Sequence, residues 1–122
     1  MRYFADHEFQ RFDLLRPEMK ILLDELRHRL GVPLLVTSSF RTPEHNAAVG
    51  GAPDSSHLVA PDGFYSGIDF TIAGGLITSI ALFELVNTAL DVGFRRLCLY
   101  KDRAHMHLDS EPHLLQDEID IR

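Results

Sequence analysis

The chain has 122 residues, 45% hydrophobic and 25% charged, and a net charge of −6. This length suits one domain over residues 1–122, with a core that needs no staples, and the composition excludes disorder and fibrous repeats. The negative balance excludes a general binder of nucleic acid or membrane surfaces, which needs a positive field.

The opening stretch MRYFADHEFQRF has no apolar core of a secretion signal. Synthesis in the cytoplasm is therefore expected, with any action outside depending on another route of release. Pro17 can open a helix as its first residue. Met19, Leu22, Leu23, Leu26 and Leu30 then recur at helical spacing, and Gly31 is a stop signal. Residues 33–38, PLLVTS, read as a short strand. Thr42-Pro43-Glu44 supplies a cap, a first-turn proline and a first-turn acid for a short helix ending at Gly50-Gly51. Residues 52–65 are loop by composition.

Gly67 to Ile72 alternates apolar with polar, as a half-buried strand does. Window 76–92 is the most apolar, but Glu84, Asn87 and Asp91 interrupt it, so it is no membrane span. Ile80, Phe83, Val86 and Leu90 mark a second long helix there, closed by Gly93. Phe94–Tyr100 and Ala104–Asp109 read as two strands joined by a Lys-Asp turn. The lone Cys98 reads as a small buried hydrophobe. From Glu111 onward the chain is polar and acidic, with little to bury. This order predicts an α+β fold, a small mostly antiparallel sheet with helices on one side.

Three stretches carry chemistry. In AHMHLD, strand alternation puts His105, His107 and Asp109 on one face and Met106 and Leu108 on the other. Such a polar face requires water, a ligand or a metal beside it. Asp69 lies between Ile68 and Phe70, in an apolar strand that disfavours aspartate. Asp62 belongs instead to Pro-Asp-Gly, a turn sequence. Asp69 is thus the better partner for His57. Two imidazoles and one carboxylate with a vacant position suit a catalytic zinc; the same set suits a non-haem Fe(II) oxygenase, and His-x-His also occurs in cupins.

TSSFRTPEHNAAVGGAPDSSHL, then SGID, then HMHLD, resembles the zinc D-alanyl-D-alanine carboxypeptidase family. That family includes peptidoglycan carboxypeptidases, vancomycin-resistance dipeptidases and phage endolysin peptidases, and is related in fold to the hedgehog signalling domain. The similarity is greatest to its short phage or prophage branch. Three separated blocks in the right order make the resemblance far more specific than one short motif. It implies one Zn²⁺ per chain held by His57, Asp69 and His107, and hydrolysis of peptidoglycan stem peptides at the cell wall or periplasm. It implies that Arg41 holds the substrate or polarises its carbonyl, with Ser38, Ser39 and Ser56 as substrate-binding candidates. Asp109 is expected to orient a ligand imidazole, and Asn46 to brace the loop carrying His57. A monomer is expected, without nucleic-acid or membrane partners.

The chain departs from the family at two places. The loop between His57 and Asp69, Leu58 to Ile68, is longer than usual and lies beside the metal; contact with substrate is one reading of Phe64 and Tyr65, and plain loop packing is the expected one. Ala104 stands where many members carry a general-base Asp or Glu. His105, on the strand face of His107, is the first candidate to replace that base, and Asp102 the alternate. Ala104 also raises a second reading, a zinc-containing module of the same fold that binds without cutting. Iron or cupin-type oxidation is a third, disfavoured because it leaves Arg41 without a role.

Overall fold

The structure, a computed structural model, describes residues 1–72 and 77–122; Leu76, which heads the apolar window 76–92, lies outside them. After short 3₁₀ turns at Asp6–Glu8 and Phe12–Leu14 come α1 (Pro17–Leu30), β1 (Leu34–Ser38), α2 (Pro43–Ala48) and β2 (Ile68–Ile72). Then follow α3 (Ser79–Val92), β3 (Arg96–Leu99), β4 (Met106–Leu108) and β5 (Glu118–Ile121). The predicted start signals act as read. Pro17 is the first residue of α1, and Gly31, in the left-handed region at φ 68°, ends it. Thr42 caps α2 by accepting from the His45 N–H at 3.1 Å.

The strands form one sheet in the order β1-β2-β4-β3-β5. Its first four strands pair antiparallel, and β5 runs parallel to β3. Strand alternation divides the sheet into two faces. Ile68, Phe70, Leu97, Met106 and Leu108 are buried in one hydrophobic cluster with Met19, Leu23 and Leu26 of α1 and Leu85 and Ala89 of α3. Helices α1 and α3 pack on each other over this face. The opposite face carries a polar row in register across the sheet: Ser38 beside Asp69, Asp69 beside His107, His107 beside Cys98, Cys98 beside Asp120. The α+β fold with helices on one side is thus the one predicted. Among the described residues, no helix is long and apolar enough to cross a membrane.

Two expectations need correction. In α3, Ile80 (78% exposed) and Phe83 (66%) face outward, and the buried residues are Leu85 and Ala89. Glu84, Asn87, Thr88 and Asp91 share one side of the helix, and the apolar arc opposite is wider than the buried stripe, so Phe83 and Leu90 lie at its exposed margin. The stretch from Glu111 onward is not an idle tail. Glu111 is 1% exposed, and its carboxylate accepts from Arg16 Nη2 at 3.2 Å, Ser66 Oγ at 3.3 Å and His113 Nδ1 at 2.8 Å. Arg16 reaches on to Asp62 at 2.5 Å, so the turn aspartate has an ion-pair partner. Arg96 joins Asp109 (3.0 Å) to Glu118 (2.6 Å), which ties β5 to the sheet.

Arg16, Glu111 and Ser66 link the start of α1, the loop before β2 and the segment before β5. Glu111→Ala leaves a buried guanidinium with only Asp62, and is expected to cost about 3 kcal/mol. Urea denaturation checks this, and an unchanged midpoint would contradict it.

Candidate metal centre

The site grows from the polar row. Register sets Asp69 of β2 directly against His107 of β4. A β-bulge interrupts β1 between Val36 and Ser38, just where β1 meets Asp69. His57 comes from the loop between α2 and β2, which is pinned on several sides. The Arg41 N–H donates to the His57 carbonyl at 2.9 Å, and the Ser66 and Gly67 N–H groups donate to the Ser56 carbonyl at 3.0 and 2.8 Å. Gly67 is required by close approach: a Cβ there would lie 2.6 Å from Ser56 Oγ and 2.8 Å from the His57 nitrogen. Asn46, buried within α2, donates from Nδ2 to the Ala52 carbonyl at 2.9 Å, at the beginning of the same loop.

Side-chain geometry assigns the ring nitrogens. His57 Nδ1 lies 2.6 Å from the Ser39 carbonyl, an acceptor only, so Nδ1 carries the hydrogen and Nε2 points at Asp69 Oδ1, 3.3 Å away. His107 Nε2 lies 2.8 Å from Asp109 Oδ2 and 3.2 Å from Ser56 Oγ. Its Nδ1 lies 2.8 Å from the same Asp69 Oδ1, so both ring nitrogens face carboxylates and the metal-free ring is favoured with a hydrogen on each. One nitrogen of each imidazole is held from behind, and the other converges on one carboxylate. Ligand atoms of His57, Asp69 and His107 lie within 4.8 Å of one another, and all three residues are buried.

Charge follows from this packing. Burial alone would raise the Asp69 carboxyl, but hydrogen bonds from His107 and His57 outweigh it and hold the group far below the usual carboxylate range. Burial would depress the His107 imidazole, yet the Asp109 and Asp69 carboxylates raise it above its ordinary value. Asp109 is lowered, burial being outweighed by His107 with help from Arg96.

The triad borders a cleft of about 630 Å³, also lined by Arg41, Ser56, Arg96, Cys98, Tyr100 and Glu118. Arg41 places Nη2 3.6 Å from Asp69 Oδ2 and donates from Nη1 to Asn46 Oδ1 at 3.3 Å. Ser39 is buried; its hydroxyl accepts from the Gln10 N–H, and its carbonyl serves His57. Ser38 lies outside this cleft, in a neighbouring one of about 290 Å³ with His7, Gln10 and His45. Tyr65 is wholly buried and donates to the Gln10 carbonyl at 2.7 Å, so it packs the loop and does not face the cleft. The two base candidates fall outside the cleft lining. Asp102 accepts from the Ala104 N–H at 2.9 Å in an exposed turn. His105 stacks on Tyr100, ring centroids 4.0 Å apart.

Sequence reading missed Arg96, Tyr100 and Glu118. For β3 the signal was present: Arg96, Cys98 and Tyr100 alternate with Leu97 and Leu99. Cys98 is buried as expected, but on the cleft face. For β5 the signal was present too: Glu118, Asp120 and Arg122 alternate with Ile119 and Ile121.

An α+β sheet that holds two imidazoles and one carboxylate around a common point, beside an open cleft, has the donor set of a metallopeptidase. The chain belongs to the peptidase M15 family, whose model it matches over residues 6–109. Comparison with curated proteins gives no match.

The depressed Asp69 and Asp109 contribute stability that is full above about pH 4 and lost as pH falls through their folded values. The raised His107 contributes stability that is full below about pH 6.5 and lost as pH rises through its folded value. With metal chelated away, the urea midpoint is therefore expected to peak between these limits. Asp109→Asn should flatten the alkaline side, and a midpoint constant from pH 5 to 8 in the parent protein would refute the assignment.

Proposed function

We propose that this chain is a zinc peptidase that hydrolyses peptide bonds of peptidoglycan stem peptides, as a D-alanyl-D-alanine carboxypeptidase or an endopeptidase. The observation that carries this reading is the convergence of His57 Nε2, Asp69 Oδ1 and His107 Nδ1, with each imidazole held at its other nitrogen. These donors fit zinc: nitrogen and oxygen ligands, three in number, oriented by a carbonyl and a carboxylate behind them. Zinc there would supply Lewis acidity, lowering the pKa of a water towards about 7 and polarising a carbonyl.

The remaining work falls to the chain's own side chains. Arg41 borders the cleft beside Asp69, where its guanidinium would hold a substrate carboxylate or carbonyl oxygen. Ser56 and Asp109 keep the His107 ring in place. Ser39 acts through its carbonyl on His57. Ser38, in register beside Asp69, lines the neighbouring cleft and would meet an adjoining part of the peptide. For proton transfer His105 is preferred to Asp102, because Asp102 is engaged with Ala104 while His105 stacks on a cleft residue. Release to the cell wall or periplasm would bring the enzyme to its substrate.

A binding module without turnover is the second reading. Ala104 favours it, since it is exposed and carries no acid, and neither base candidate lines the cleft. Turnover separates the two: zinc binding with no peptide or amino acid released from purified peptidoglycan at any pH would select the binder.

The enzyme reading predicts one zinc per chain, and loss of muropeptide cleavage in His57→Ala, Asp69→Ala and His107→Ala. Asp109→Asn should lower zinc affinity about 10- to 100-fold, measured by competition with a chromophoric chelator. His105→Gln should slow turnover about 10²-fold or more with zinc retained, and Asp102→Asn should not. Full activity in the three ligand variants would end the proposal.

A further inference from the structure

Tyr100 is a cleft residue to which neither the motifs nor the proposed function gives a role in the reaction. It follows β3, and strand alternation carries it to the cleft face with Arg96 and Cys98. Other polar side chains around it are committed. Arg96 serves Asp109, Glu118 and the Leu115 carbonyl; Arg122 serves Asp120; Ser56 serves His107. The Tyr100 phenol has only the Cys98 thiol as a hydrogen-bond neighbour among the described residues, and a thiol sulfur is a weak acceptor. The ring is nonetheless held in place, stacked on His105 with an interplanar angle of 31°.

Its location relative to the triad gives this donor a use. In the sheet order, Asp69 and His107 lie on the adjacent strands β2 and β4. Arg41 follows β1 on one side of that pair, and Tyr100 follows β3 on the other. A carbonyl seated at the triad is thus flanked by a guanidinium and a phenol. Burial, then the nearby Asp69 charge, pushes the phenol well above its ordinary value of about 10. An ordinary phenol already keeps its hydrogen near neutral pH.

We propose that Tyr100 is a catalytic residue that donates a hydrogen bond to the scissile carbonyl oxygen as that oxygen becomes an oxyanion, sharing the charge with Arg41. This rests on the peptidase reading above. As water oxygen bonds to the carbonyl carbon, the carbonyl π pair moves onto oxygen, where the phenol and guanidinium meet it. When the C–N bond breaks, that pair returns, and a proton derived from the water goes to the leaving amine. Tyr100 keeps its own proton from start to finish. A fixed donor of this kind, aimed at charge that exists only during reaction, acts on kcat more than on substrate binding.

Tyr100→Phe tests this, since it retains the ring and its stack on His105 and removes one O–H. On a muropeptide that the parent protein cleaves, kcat is expected to fall about 10²- to 10³-fold with KM little changed. Affinity for a phosphinate analogue of the cleaved bond should weaken by a comparable factor. Zinc content and thermal midpoint should match the parent. An unchanged kcat, or a higher KM at unchanged kcat, overturns the Tyr100 assignment and leaves the peptidase reading standing. Loss of zinc or of stability alongside activity would make the residue structural and overturns it too. A parent protein that binds zinc but cleaves no muropeptide removes both.

Discussion

The pairing of Asp69 with His107 across β2 and β4 is the constraint on which the rest depends. Two antiparallel strands set a carboxylate and an imidazole opposite each other, on a face that would otherwise be apolar or wet. Both are buried, so each must be matched in charge and hydrogen bonding. The surroundings supply this: Asp109 behind His107, Arg96 behind Asp109, Glu118 beyond Arg96. The Ser39 carbonyl does the same for His57 from the other side. A chain of ion pairs and hydrogen bonds thus runs from the centre of the sheet to its edge, and the ligand orientation is a property of the sheet as a whole.

That arrangement explains which parts were legible in the amino-acid order. Local signals worked where local physics decides. Proline and glycine bounded α1, threonine capped α2, and His-x-His-x-Asp announced a polar strand face. Asp69 stood out because aspartate is costly in an apolar strand, and the grouping of His57, Asp69 and His107 is the one the structure presents. The expected α+β fold also followed, because short strands alternated with amphipathic helices.

What could not be read was set by distant partners. Glu111 looks like any acidic residue until Arg16, 95 positions earlier, meets it in the interior. The inner stripe of α3 depends on which side α1 and the sheet approach, and an apolar arc wider than that stripe does not encode it. His105 shares a strand face with His107, but the Tyr100 ring stands against it, and alternation says nothing of that contact. The β5 strand lies beyond the stretch shared with the family, which ends at residue 109, yet it supplies part of the cleft wall.

The sheet does not close on itself, so β1 and β5 each expose a row of backbone groups able to recruit another chain. Each edge carries a deterrent. Pro33 precedes β1, and a bulge breaks its regularity. Along β5 and its end, Glu118, Asp120 and Arg122 set charge at every second position. Residues that shape the cleft thereby also guard against edge-to-edge aggregation, and a β5 neutralised to accept a more apolar peptide would become a site of self-association.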